Sequence, residues 1–110
     1  MDAGELVFKI KADFLKSIAH PVRLAVIEQL KNSELSVGQL VSALNVEQSN
    51  LSKHLSILRQ AGIVTSRQEK VTVFYSIRDK DIFSVLRPIT EILRKKLQEG
   101  QSVLTHLGKA

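Results

Sequence analysis

The sequence contains no cysteine. That absence excludes disulfides, thiolate nucleophiles, thiol redox sensing, cysteine zinc sites and iron–sulfur ligation together. It fits a reducing compartment, where a small domain carries no covalent staples. No stretch approaches the ~18 consecutive apolar residues of a membrane span. The opening Met-Asp-Ala-Gly-Glu lacks the basic-then-apolar layout of a secretory signal. Repeats, low-complexity tracts and Gly/Ser/Pro linkers are missing as well. A soluble, cytoplasmic chain with one domain over residues 1–110 and no membrane partner is expected. There is no nucleophile–base signature, Gly-rich phosphate loop or HExxH motif, so no enzyme and no cofactor are expected. Ser52 and His54 come nearest to a catalytic pair, but residues two apart on a helix point in different directions.

What is present is an ordinary globular mixture, 44% hydrophobic and 25% charged over 110 residues. Sixteen Lys and Arg against eleven Asp and Glu give a net charge of +5. The excess is unevenly placed. Residues 1–47 hold five basic and six acidic side chains. Residues 48–80 hold Lys53, Arg59, Arg67, Lys70, Arg78 and Lys80 against only Glu69 and Asp79. A basic central segment is the electrostatic footprint of a nucleic-acid surface, although a merely solvated face would carry the same count.

Periodicity supplies the architecture. From Leu6 on, Val7, Ile10, Phe14 and Ile18 recur at helical spacing. Pro21 suits the first position of a second helix, where a missing N–H costs nothing. That helix is expected to turn Val22, Ala25, Val26 and Leu30 inward and to fade at Asn32-Ser33. Ser36-Val37-Gly38-Gln39 is a capping box, flanked by Leu35 and Leu40 as a hydrophobic staple, and opens a short helix to about Leu44. Asn45-Val46-Glu47 reads as a turn. Leu51, Leu55 and Leu58 then form the stripe of a fourth helix that Gly62 stops.

After Gly62 the period changes to two. Residues 63–67 and 72–77 are β-prone runs separated by Gln68-Glu69-Lys70-Val71, which predicts a hairpin. Ile82, Val85, Leu86, Ile89, Ile92, Leu93 and Leu97 describe a last helix, kinked or split at Pro88 and ended by Gly100, with a weakly periodic tail over 101–110. Two helices joined by a tight turn and followed by a basic hairpin form a winged helix-turn-helix. The expected fold is therefore mainly α with a small β-hairpin. The helix-turn-helix spans about 36–61, the wing about 63–77 and the C-terminal dimerisation helix about 80–99.

Three strings carry a family likeness. Residues 15–23, LKSIAHPVR, are similar to the "LxALAHPxR" stretch of ArsR/SmtB-family transcriptional regulators. Residues 44–62, LNVEQSNLSKHLSILRQAG, resemble that family's "LGLSQSxVSxHLxxLRxAG" helix-turn-helix. Ile63-Val64, Arg67 and Val73-Phe74-Tyr75 resemble its "LV…R…VYY" wing, so the likeness covers about residues 11–78. It implies a homodimer joined by its first and last helices, and a repressor released from its operator by an effector or a modification.

The DNA-binding candidates follow from exposure and chemistry. With the leucine stripe inward, Gln48, Ser49, Asn50, Ser52, Lys53 and Ser56 remain outside on the fourth helix. Gln48 or Asn50 can pair with adenine, Lys53 with guanine or a phosphate, and the serines are short enough to admit the helix to the major groove. Arg67 and Lys70 of the wing can reach phosphate or minor groove, supported by Thr72. Glu47 stands where the family has Ser or Thr, a better cap, and Asn45 is expected to take over capping. Lys70 and Val71 stand where the family often has Gly. Phe74 and Tyr75 could stack on RNA bases, but an aromatic pair in a small hairpin is expected to be core and rim.

The family's thiolate metal site would align Ser36 and Gly38 with its two cysteines. Its second metal site would find only Asp79, Asp81, Glu91, Glu99 and His106. His20 and His54 are expected to lie apart, and no metal site is expected. A small organic effector or an effector protein remains open. Val7, Ile10, Phe14, Ile89, Ile92, Leu93 and Leu97 are the candidate two-fold interface. The expected partner is double-stranded DNA bearing an inverted repeat. The competing reading is a winged-helix protein-interaction module with only non-specific nucleic-acid affinity.

Overall fold

In the computed structural model, residues 2–97 and 106–108 are described. The chain divides into two compact units, Met1–Arg78 and Asp79–Ala110. The first holds α1 (Ala3–Ile18), α2 (Pro21–Gln29), β1 (Leu35–Ser36), α3 (Val37–Leu44), α4 (Gln48–Gln60), β2 (Val64–Glu69) and β3 (Thr72–Ile77). The second holds α5 (Ile82–Lys96).

Each helix start has a local cause. The Asp2 carboxylate accepts the Glu5 N–H at 2.8 Å and places the start of α1 three residues before the apolar stripe begins. His20 caps α2, its ring Nδ1 accepting the Val22 N–H at 3.0 Å, with Pro21 in the first turn. The capping box at α3 is formed in both directions: Gln39 N–H donates to Ser36 Oγ at 3.1 Å, and Ser36 N–H donates to Gln39 Oε1 at 2.8 Å. Ser36→Ala is expected to cost about 0.5–2 kcal/mol, read as a lower midpoint in urea with an unchanged m-value.

Asn45 does not cap α4. It ends α3 in the left-handed conformation, φ 52°, while Glu47 holds the N-cap position of α4 without a side-chain cap bond. The three-residue turn leaves room for only one of these roles, and a left-handed C-cap is one that Asn tolerates well. Gly62, at φ 77°, stops α4 as its sequence position predicts.

The core of the first unit gathers at the helix crossings. Val26 and Ile27 from α2, Leu40 from α3, and Leu51, Leu55 and Leu58 from α4 are all at most 1% exposed. Burying a side chain of this size contributes about 1.5–3 kcal/mol. The inward face of α2 differs from expectation: Ile27 is fully buried while Val22 and Ala25 are only half-buried. Alpha-helical closure also ends at Gln29, before Asn32-Ser33.

Instead of a two-stranded hairpin there is a three-stranded antiparallel sheet in the order β1-β3-β2. Leu35 and Ser36 of β1 pair with Tyr75 and Phe74 of β3. Two residues carry no periodic signal, so the strand is visible only once β3 lies beside it. The turn is also tighter than expected. Gln68 and Glu69 belong to β2, Glu69 pairs with Thr72, and only Lys70 and Val71 remain at the tip. Lys70 adopts φ 58° where a glycine is usual, and the Gln68 side-chain amide donates to its carbonyl at 3.0 Å.

In the second unit, α5 runs unbroken through Pro88. Proline forfeits one backbone hydrogen bond there without splitting the helix. The expected stop at Gly100, residues 98–99 of the expected dimerisation helix and residues 101–105 and 109–110 of the tail lie outside the described residues. No helix is long and apolar enough to cross a membrane among the residues described.

Candidate nucleic-acid interface

The recognition surface is built from the inside. Leu51, Leu55 and Leu58 anchor one side of α4 in the core, which turns Gln48, Ser49, Asn50, Ser52, Lys53 and Ser56 outward. All six are exposed, and none is acidic. Ser49 is partly committed: its hydroxyl donates to the Glu47 carboxylate in a short hydrogen bond. Glu47 therefore places a negative charge at the positive end of the α4 dipole and holds Ser49 at the same time.

The fold brings the wing tip to this surface. A groove of about 360 Å³ is lined by Ser36, Val37 and Gly38 at the start of α3, Gln48 at the start of α4, and Val71, Thr72 and Val73 of the wing. Gln48 and Thr72, chosen from separate segments of the sequence, thus border one groove. Lys70 is exposed at the tip beside Val71, which is 94% exposed.

Arg67 is placed differently from Lys70. Its Nε donates to both oxygens of Glu34, at 3.1 and 2.9 Å, and its Nη2 makes a short bond to the same carboxylate. Nη1 donates to Glu69 at 2.9 Å. The guanidinium carbon also lies 4.5 Å from the centroid of the Phe74 ring. The hydrogen bonds from Glu34 and then Glu69 hold the guanidinium charged well beyond its ordinary range. The Arg67 hydrogen bond holds the Glu34 carboxyl below the usual carboxylate range, opposed by burial and aided further by the Arg67 charge. Arg67 therefore ties β2 across β3 to the residue before β1, and a phosphate would have to compete with two carboxylates for it. Glu34 lies 33 residues away in sequence, and no periodic signal marks the pair. Phe74 and Tyr75 are both half-buried, and Phe74 serves as the platform under Arg67.

His20 and His54 do meet, contrary to the expectation that they lie apart. Their ring centroids are 4.1 Å apart with the planes tilted by 38°. The start of α2 crosses α4 at this point, which brings the cap of one helix onto the buried side of the other. His54 is 9% exposed, and among the described residues its Nδ1 has no hydrogen-bond partner. No group of three or more His, Asp or Glu side chains converges as a metal site among the described residues, and Glu99 lies outside them.

The candidate two-fold residues are left uncovered. Val7, Ile10 and Phe14 on α1 are 48%, 59% and 38% exposed. Ile89, Ile92, Leu93 and Leu97 in the second unit are 43%, 55%, 39% and 38% exposed. Exposed apolar side chains in rows are uncommon on monomers and mark interaction surfaces.

Comparison with known proteins agrees with this geometry. Residues 20–66 match the family described as bacterial regulatory protein, arsR family. The HTH-type transcriptional regulator Rv0081 of Mycobacterium tuberculosis is 38% identical over 105 residues, 94% of this chain and 92% of that protein. Its crystal structure superposes with a TM-score of 0.76 over 84% of this chain and 94% of that one. NolR from Sinorhizobium fredii, at 32% identity, also gives 0.76, over 84% of this chain and 93% of its own. The biofilm growth-associated repressor of Agrobacterium fabrum is 43% identical over 68 residues, 62% of this chain and 58% of that protein. The chain belongs to the arsR family of bacterial regulatory proteins.

Proposed function

We propose that the chain is a sequence-specific, DNA-binding transcriptional repressor that acts as a homodimer on an inverted-repeat operator. The observation that carries this reading is the outward face of α4, where Gln48, Ser49, Asn50, Ser52, Lys53 and Ser56 can all hydrogen-bond and none is acidic, held outward by three buried leucines and bordered by the wing tip. In this reading α4 enters the major groove. Gln48, Asn50 and Lys53 meet base edges, and Ser49, Ser52 and Ser56 allow close approach. Lys70 and Thr72 approach the flanking backbone. Arg67 sets the attitude of the wing through Glu34 and reaches phosphate only if that pair opens.

A single recognition helix buries too little surface for tight specific binding, so two must act together. The uncovered apolar row on α1 and, separately, that on α5 each offer apolar surface for a two-fold partner to cover. The repressor among the relatives supports repression, which requires no more than occupancy of a promoter.

Selection from a random duplex library at near-physiological salt tests the reading. Enrichment of an inverted repeat bound by two protomers is expected. If no sequence is enriched and the weak binding vanishes as salt rises, the protein-interaction reading replaces this one. Within the same assay, Lys70→Ala should weaken operator and random duplex alike and reduce the salt slope by about one counterion. An unchanged slope would remove Lys70 from the phosphate contacts.

A further inference from the structure

The histidine pair is unexplained by the DNA-facing surface, since its rings lie behind that surface. His20 performs two tasks with one ring. Its Nδ1 accepts the Val22 N–H and caps α2, and its face lies against His54 of the recognition helix. An acceptor at Nδ1 requires the ring to be unprotonated there. A proton on that atom would abolish the cap and put a positive charge at the positive end of α2.

His54 is equally constrained. It is buried, and its Nδ1 finds no partner among the described residues. The groups acting on it are His20 and Arg23 from α2 and Lys53 from its own helix, and no carboxylate is among them. Arg23 is itself partly buried here, donating from Nη1 to the Ser17 carbonyl at 3.2 Å, while its Nε has no partner among the described residues. Of the carboxylates on the elements packed against α4, Glu28 of α2 is exposed with Lys31 4.0 Å away, and Glu5 in the first turn of α1 is exposed. Helix α3 has no charged residue, and Glu69 of β2 is paired with Arg67. On α1, Asp13 is paired with Lys9. Burial first, then His20, Arg23 and Lys53, hold the His54 pKa below its ordinary 6.5.

We propose that His20 and His54 are positioning residues for DNA binding: the stacked pair seats α4 on the start of α2, and proton uptake by the buried His54 unseats it, so that specific binding weakens on acidification. The inference rests on the DNA-binding reading, but its first test does not. The sign follows from linkage. A histidine whose folded pKa is depressed binds more protons unfolded, so stability is full above about 6.5 and falls as pH drops below that value. This direction opposes generic electrostatics, because added positive charge on acidification strengthens non-specific attraction to phosphate.

The free protein is measured first, by thermal unfolding and by imidazole NMR titration between pH 7.5 and 5.5. The midpoint should fall with pH in the wild type and the His54 resonance should titrate below the ordinary range. His54→Phe keeps a stacked ring without a titrating nitrogen, and His20→Asn keeps a capping acceptor while removing the ring that seats His54. Each should flatten the pH dependence. Two independent variants keep the test decisive if one of them folds poorly.

The second arm uses the inverted-repeat duplex from the selection, with a random duplex as control. Operator affinity should fall on acidification by up to about tenfold per pH unit for one linked proton, while random-duplex affinity holds or rises. Both variants should bind the operator at pH 7.5 and lose the acid sensitivity. Wild-type pH slopes in both variants, or an operator affinity that is flat or rises on acidification, would overturn the proposal. If the selection yields no operator, the first arm alone decides, with equal slopes in wild type and variants counting against it.

Discussion

Leu51→Ala is expected to lower the unfolding free energy by about 2–5 kcal/mol. Leu51 is fully buried one turn into α4, directly behind the residues proposed to meet DNA. Truncation leaves a cavity that neighbouring side chains fill only in part, so the lost transfer free energy and the cavity both count. Domains of this size have about 5–15 kcal/mol of stability in total, so the change removes a large share of it. Urea unfolding followed by circular dichroism would measure the loss. Leu51→Met separates packing from chemistry, because a volume-conserving apolar exchange should cost less than about 1.5 kcal/mol. A loss below that value for Leu51→Ala would show that α4 settles inward over the cavity, and its outward residues would then shift as well.

Lys53→Ala should act on recognition and leave the fold intact. Lys53 is exposed, and the residues that anchor its helix are untouched by the change. If it reaches a base edge, operator affinity should fall by ~1–3 kcal/mol, with specificity relaxed at one position of each half-site. Random-duplex affinity should change much less. Repeating the selection with the variant and comparing salt slopes reads both quantities. Equal losses on operator and random DNA would make Lys53 a phosphate contact and leave base readout to Gln48 and Asn50. Unfolding in urea should be unchanged within about 0.5 kcal/mol, the range of exposed substitutions.

Much of the recognition element was legible in the linear sequence because its determinants are local. The capping box at Ser36 and Gln39, the stop at Gly62 and the inward row Leu51, Leu55 and Leu58 depend on residues within one or two turns of each other. Helical periodicity alone therefore turned Gln48, Ser49, Asn50, Ser52, Lys53 and Ser56 outward. The likeness to the arsR family added the expectation of a homodimeric repressor, but the burial that exposes this face follows from the leucine spacing.

Other features were illegible for an equally physical reason. Strand β1 is two residues long, too short for alternation to show, and exists because β3 offers it hydrogen-bonding partners. The capping role of α4's start was misassigned because Asn favours both an N-cap and a left-handed C-cap, and only the path of the turn selects between them. The inward face expected of α2, Val22, Ala25, Val26 and Leu30, omits Ile27, which the packing of α2 buries completely.

By itself the sequence determined the succession of elements, the basic sign of the central segment and the identity of the outward residues on α4. These are set by composition and by contacts a few residues apart. The tertiary structure decided which distant side chains share a site. It withdrew Arg67 into a clasp with Glu34, joined Gln48 to the wing tip across one groove, and laid His54 on His20. Each pairing spans tens of residues along the chain, where no periodicity connects the partners, and forms only because helix and sheet packing closes those loops in space.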